Sequence, residues 1–141
     1  MNTEAMFSKK SDEYGTPIDF FNQLDAEFNF TLDPCATDDN HLCKKYFTKE
    51  IDGLSQSWEN NTVFCNPPYS NVSGWAKKCA DESYLNNITV VMLVPARTDT
   101  RWFHQYVYNR AEIRFVKGRL KFNGGDNSAP FPSMVVIFRK R

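Results

Sequence analysis

Apolar residues recur at helical spacing through Ile18, Phe21, Leu24 and Phe28. Thr16 can cap this run and Pro17 suits a first turn, so the pattern predicts a helix starting at residue 16. Residues 30–35 read as a short strand ending at Asp33-Pro34, 38–45 as one or two helical turns, and 46–48 as a second strand. Residues 62–65 read as a further strand, stopped by Asn66-Pro67-Pro68 because prolines cannot continue a ladder. Ser73 can cap a helix through Trp75, Ala76, Cys79 and Ala80 to about Tyr84. The clearest strand is 88–94, a nearly continuous apolar run of the kind found in a central strand covered on both faces, and Pro95 ends it. Thr98 or Asp99 can cap a helix through Trp102, Phe103, Tyr106 and Val107. Strands over 112–116 and 134–138 complete the pattern, with a Gly- and Pro-containing segment, 118–132, between them. Residues 1–15 are polar and weakly patterned, which predicts a flexible N-terminal arm ahead of a single domain over 16–141.

Alternating helices and strands predict an α/β domain with a largely parallel central sheet flanked by helices. A chain of 141 residues fits one domain with its own core. The apolar stretch 90–96 is too short to cross a bilayer, and residues 1–15 hold no apolar signal region, so a cytoplasmic protein with no membrane association is expected. Cys35, Cys43, Cys65 and Cys79 form no C-x2-C pair and His41 and His104 lie far apart, so no metal site is expected and the four thiols read as reduced. The 17 basic and 17 acidic residues sum to zero, which by itself disfavours a polyanionic partner. Neutrality conceals two halves, however. Residues 1–96 carry 7 basic and 14 acidic side chains (−7), and residues 97–141 carry 10 and 3 (+7).

In open α/β sheets, ligands sit beyond the carboxyl ends of the strands. Three polar punctuations are expected there: Asp33-Pro34-Cys35, Asn66-Pro67-Pro68-Tyr69 and Pro95-Ala96-Arg97. In the second, two prolines fix the backbone and free the Pro67 carbonyl from ladder duty. The Asn66 oxygen and that carbonyl can converge as two acceptors for the two N–H donors of an exocyclic amine. Tyr69 adds a face for stacking a flat base, a contact of roughly 1–3 kcal/mol. A Pro-Pro turn with a solvent-facing Asn is the plain alternative.

The ordered segments TPIDFFNQLDAEFNFTLDPCATDDN, YFTKEIDGLSQSW, VFCNPPYS, VVMLVPARTDTRWFH, RFVKGRLKF and APFPSMVVIF resemble phage-type, Dam-like DNA N6-adenine methyltransferases. The resemblance spans residues 14–138. It implies a compact Rossmann-like S-adenosylmethionine-dependent methyltransferase fold without a large target-recognition domain, acting on double-stranded DNA in a bacterial host. It further implies direct in-line transfer of the cofactor's methyl group to N6 of a flipped-out adenine, with Asn66, Pro67, Pro68 and Tyr69 as the catalytic residues. For the cofactor it implies Thr16 and Pro17 as a closing segment and Asp33, Pro34, Cys35 and Ala36 as the first loop. Asp52, Gly53 and Leu54 would lie beside the cofactor's adenine, and Asn40 near its ribose. The chain departs from the usual pattern in having no glycine over 33–37. Asp33 before Pro34 also fits an Asx turn, and Asp52-Gly53 an ordinary turn.

For DNA the resemblance points to Ser70, Lys78, Arg97, Arg101 and Trp102, and to Lys117, Arg119, Lys121 and Phe122. The last four also fit a strand with one solvated face. Reading of the target would fall to loops at 70–74, 101–104 and 123–132, with a GATC-like site the family expectation. Cys35 is expected on the cofactor side, away from NPPY, and not as a nucleophile. The alternatives are a protein-glutamine methyltransferase, a cytosine-N4 methyltransferase and a non-enzymatic nucleic-acid-binding module. Oligomeric state is not legible in the sequence.

Overall fold

A computed structural model describes residues 14–125 and 127–141 of the chain. Six strands make one sheet: β1 (Leu32–Asp33), β2 (Lys45–Tyr46), β3 (Val63–Cys65), β4 (Val90–Pro95), β5 (Glu112–Phe115) and β6 (Ser133–Phe138). Their spatial order is β2-β1-β3-β4-β6-β5. The pairings β2–β1, β1–β3 and β3–β4 are parallel, whereas β6 runs antiparallel to both β4 and β5. The sheet is therefore mixed, where the residue pattern predicts a largely parallel one. A parallel return usually runs through a crossover helix; among the described residues the connection from β5 to β6 holds only the short helical turn Phe122–Gly124, and β6 enters the sheet reversed.

The sheet has a core on each face. Val90, Met92 and Val94 of β4 join one cluster with Trp58, Trp75, Ala76, Cys79, Trp102, Phe103 and Val107. Val91 and Leu93 join the other, with Phe21, Leu24, Phe64, Phe122 and Phe131. This period-2 split explains why 90–94 is apolar throughout.

Helix α1 (Ile18–Phe28) buries Phe21 and Leu24 on the second face. It ends at Asn29 in the left-handed region, φ 56°, with the Asn29 N–H bonded to the Asp25 carbonyl. Pro17, not Thr16, occupies its cap position, and no side chain caps it. Helix α2 (Val72–Asn86) buries Val72, Trp75, Ala76 and Cys79 on the opposite face. It starts before the expected Ser73: Asn71 is the cap, accepting from the Gly74 N–H at 3.2 Å. After β4, Thr100 replaces the expected Thr98 or Asp99 as cap, accepting from the Phe103 N–H at 3.3 Å. The turn that follows, Phe103–Val107, is wide, with the Tyr108 N–H reaching the Phe103 carbonyl at 2.8 Å.

The helical turns expected over 38–45 do not form. Thr37 and Asn40 exchange backbone hydrogen bonds at 3.1 and 3.2 Å, and both Asp33 carboxylate oxygens hold this segment, taking the Cys35 and Leu42 N–H groups. A carboxylate that offers acceptors to nearby N–H groups gives the backbone an alternative to helix. Of the expected arm, residues 1–13 lie outside the described residues; Tyr14 and Gly15 pack against the domain. No helix of the described residues is long and apolar enough to cross a membrane.

Candidate active site

The parallel strands β1, β3 and β4 are neighbours, so the segments leaving their carboxyl ends emerge on one rim: Pro34-Cys35, Asn66-Pro67-Pro68-Tyr69 and Ala96-Arg97. After β3 the two prolines lead into a tight turn, Tyr69–Asn71, and then directly into α2. Pro67 is buried.

Asn66 is held from the N-terminal side. Its Nδ2 donates to the Tyr14 carbonyl at 2.5 Å and to Thr16 Oγ1 at 2.9 Å. Its Oδ1 is buried and has no partner among the described residues. A buried acceptor left unmade costs about 1–3 kcal/mol, a cost that a donor arriving from a ligand removes. The Tyr14 ring stacks on Tyr69, centroids 5.1 Å apart and planes 18° from parallel, and meets Phe122 and Phe131 edge-on at 5.3 and 5.4 Å. One face of Tyr69 is thus already covered, which the sequence reading left open for a base. The Tyr69 hydroxyl is buried without a partner among the described residues, and burial raises its pKa. Gly15 closes the strap: its N–H donates to Asn123 Oδ1 at 2.6 Å and its carbonyl accepts from the Asn123 N–H at 2.8 Å.

The residues assigned to the cofactor form a contiguous group. Gly53 lies so close to the 33–36 segment that a Cβ there would sit 2.4 Å from the Pro34 carbonyl oxygen, and 3.1 Å from the Trp75 ring. Gly53 opens a short helical turn, Gly53–Ser55, capped by Asp52, whose Oδ1 accepts from the Leu54 N–H at 3.2 Å. Ala36 is anchored to the Phe47 carbonyl, and Asn40 is exposed with its side chain near Gly15. Asp33 is buried; loss of hydration raises its carboxyl pKa, against the lowering effect of the Leu42 and Cys35 N–H groups. A cation placed beside a desolvated carboxylate favours its charged form, and the ammonium of an amino-acid moiety is chemically compatible with that position. The donor set of this group is compatible with S-adenosylmethionine, and the Asp33 carboxylate shapes the loop by accepting from the Cys35 and Leu42 N–H groups.

Cys35 is not remote from NPPY. Because β1 and β3 are adjacent, its Sγ lies 3.6 Å from that of Cys65, the residue before Asn66. Burial pushes the thiols of Cys35, Cys65 and Cys79 up, and that of Cys43 to about 12, the opposite of what a nucleophile needs. Among the described residues, no group of three or more His, Cys, Asp or Glu is arranged to hold a metal.

The residues assigned to DNA divide. Tyr69, Ser70, Arg97 and Trp102 line one pocket of about 270 Å³ between the start of α2 and the end of β4. Arg101 lies at the outer end of the same segment, exposed. Phe122 is buried against Tyr14 and Phe131, following exposed Lys117, Arg119 and Lys121; no strand forms there, and Arg119 donates to the Ala129 carbonyl at 3.2 Å. Lys78 is a correction. Its ammonium points inward, pairing with Glu82 at 2.8 Å, donating to the Gln56 carbonyl at 2.5 Å and lying over the Trp58 ring, with its side chain 18% exposed. A cation so engaged is packing, not a phosphate contact. Arg114 and Arg139 are likewise tied to Glu27 and Glu112, and hydrogen bonds from Arg114 hold both carboxyls below the usual carboxylate range.

Tyr14 and Gly15 are not among the sequence-predicted site residues, and Asn123 and Phe131, expected only within the 123–132 target-reading loop, instead pack with them. The available signal was Tyr14 itself, an aromatic in a polar run two residues before Thr16-Pro17.

Fold and site together define an α/β domain with a buried amide oxygen, unpartnered among the described residues, and a proline-fixed turn at the carboxyl ends of its parallel strands, an arrangement consistent with an amino-group methyltransferase. The chain belongs to the DNA N-6-adenine-methyltransferase (Dam) family, whose model matches residues 4–141. It is similar to the DNA N-6-adenine-methyltransferase of Haemophilus phage HP1 (strain HP1c1), 33% identical over 144 residues, covering 95% of this chain and 83% of that protein. It is also similar to the DNA N-6-adenine-methyltransferase of Escherichia phage T1, 32% identical over 111 residues, covering 77% of this chain and 46% of that one.

Proposed function

We propose that the protein methylates the N6 amino group of adenine in double-stranded DNA, with S-adenosylmethionine as methyl donor. The observation that carries this reading is the Asn66 amide: both its N–H groups are spent on Tyr14 and Thr16, and its oxygen is buried and unpartnered among the described residues. An exocyclic amine supplies two donors, one for Asn66 Oδ1 and one for the Pro67 carbonyl. Adenine N6 is a poor nucleophile because its lone pair is delocalised into the ring. Drawing both hydrogens into hydrogen bonds favours a pyramidal nitrogen and frees that lone pair. When bound, S-adenosylmethionine supplies an electrophilic methyl group on a sulfonium.

Asp33 holds the donor's ammonium on this reading; Pro34, Cys35, Ala36, Asp52, Gly53 and Leu54 line the adjoining wall, and Pro17 and Asn40 flank it. Tyr69 and Phe122 confine the flipped base, whose extraction from the duplex costs a few kcal/mol. Ser70, Arg97, Arg101 and Trp102, with Lys117, Arg119 and Lys121, meet the DNA; Arg97, Arg101, Lys117 and Lys121 make no ion pair among the described residues, which supports them as phosphate contacts. Parallel β1–β4 with helices on both faces support a Rossmann-like methyltransferase fold over 16–141. The working compartment is the cytoplasm of a bacterial host. Incubation with methyl-labelled S-adenosylmethionine and adenine-containing duplex DNA, followed by nucleoside analysis, tests the proposal. Label in N6-methyladenine is expected; label in cytosine or in protein, or none, overturns it.

A further inference from the structure

An asparagine side chain is nearly symmetrical in shape but not in chemistry, since rotating the amide by half a turn exchanges an acceptor for two donors. For the proposed reaction only one orientation works: the oxygen must face the substrate amine. Something has to enforce it. The Tyr14 carbonyl can only accept, so the Asn66 atom 2.5 Å from it must be nitrogen. Thr16 Oγ1, at 2.9 Å, takes the second N–H of the same nitrogen. The rotated amide would lose the Tyr14 hydrogen bond and press its oxygen against a carbonyl oxygen; the Tyr14 carbonyl thus sets which atom faces it, and the Thr16 hydroxyl holds the amide in that orientation through the second N–H.

Thr16 can do this because it sits between two anchors. Pro17 follows it, with its carbonyl accepting from the Phe21 N–H at 3.0 Å in the first turn of α1. Gly15 precedes it, joined to Asn123 by the reciprocal hydrogen bonds, and Tyr14 is packed in the ring cluster of Tyr69, Phe122 and Phe131. The hydroxyl is therefore held in place without help from a ligand.

We propose that Thr16, together with the Tyr14 carbonyl, is the positioning group of the reaction: it orients the Asn66 amide so that Oδ1 is presented to the amine to be methylated. The family resemblance assigns Thr16 to the cofactor instead, so the two roles make different claims about the same hydroxyl. The inference rests on methyl transfer at Asn66.

The test compares Thr16→Val, which keeps the shape and removes the acceptor, with Thr16→Ser, which keeps the hydroxyl. Steady-state methylation of duplex DNA should show Thr16→Val lowering kcat on the order of tenfold, the rate equivalent of one hydrogen bond, with KM for the methyl donor little changed. Thr16→Ser should recover most of the rate. Independently of turnover, the Asn66 side-chain NH2 protons, followed by NMR in the protein without added ligand, should exchange with solvent slowly in the wild type and in Thr16→Ser and faster in Thr16→Val. If Thr16→Val does not fold, Thr16→Ala carries the same comparison. A rise in KM for the methyl donor at unchanged kcat, or equal exchange of the Asn66 NH2 protons in all variants, overturns the proposal. A wild type that makes no N6-methyladenine overturns the parent reading, while the exchange measurement still decides the positioning role.

Discussion

Asn66→Ala separates activity from stability in a way the geometry makes quantitative. The substitution deletes the two Nδ2 hydrogen bonds to Tyr14 and Thr16. At about 0.5–1.5 kcal/mol each, that loss is about 1–3 kcal/mol. It also deletes Oδ1, unpartnered among the described residues, whose burial costs about 1–3 kcal/mol, so the two contributions nearly cancel. The melting temperature should stay within about 4 °C of wild type, the shift produced by about 1 kcal/mol in a domain of this size. Catalysis has no such compensation, because the acceptor is gone from the reacting centre. By analogy with removal of one preorganised donor from an oxyanion hole, the rate should fall about 10²–10³-fold. Initial rates of N6-methyladenine formation and thermal unfolding on the same preparation check both halves. Asn66→Asp sharpens the contrast: its carboxylate oxygen would face the Tyr14 carbonyl, so it should destabilise more than Asn66→Ala despite being closer in size. A variant Asn66→Ala that keeps its rate within tenfold, or melts about 10 °C lower, refutes the reasoning.

Glu82 accepts from Lys78 and from the Trp58 N–H in a buried setting, so Glu82→Ala should cost about 3–5 kcal/mol in urea unfolding by stranding the ammonium; a loss under about 1 kcal/mol would contradict the inward assignment of Lys78. Gly53→Ala forces a methyl group against the Pro34 carbonyl and should cost about 1–3 kcal/mol while weakening S-adenosylmethionine binding by calorimetry, because the 33–36 segment must shift. The Asp33 carboxyl, raised by burial, should titrate above its ordinary value near 3.8 when followed by NMR. A folded pKa above the unfolded one means its contribution to stability is fully present below pH 3.8 and is lost as pH rises through the folded value. Saturation with S-adenosylmethionine should lower that pKa if the ammonium binds there, and an unmoved titration would remove Asp33 from the cofactor site.

Much of the fold was legible because its signals are local. Strand β4 announced itself by continuous apolar character, since both its faces are covered, and Pro17 and Pro95 marked element ends near their true places. The strand-end acceptors were legible for the same reason: Asn66-Pro67-Pro68-Tyr69 follows β3 without interruption. The misread caps, Asn71 for Ser73 and Thr100 for Thr98 or Asp99, differ by two residues at most, within which several residues have equally good capping chemistry. Reversal of β6 was not legible, because strand direction depends on how the connection from β5 travels and not on the residues of β6. The same holds for Lys78, whose partner Glu82 lies four residues away on α2 but whose inward position is decided by Trp58 and Gln56 packing against that helix.

The sequence by itself determined which residue types stand at the strand ends and how rigid the backbone is there, since proline stereochemistry and apolar periodicity act over a few residues. Only the tertiary structure decided which way the Asn66 amide faces. Its two hydrogen-bond partners lie 52 and 50 residues earlier in the chain, and an amide that is nearly symmetrical in shape takes its orientation from whatever acceptors the fold brings to it.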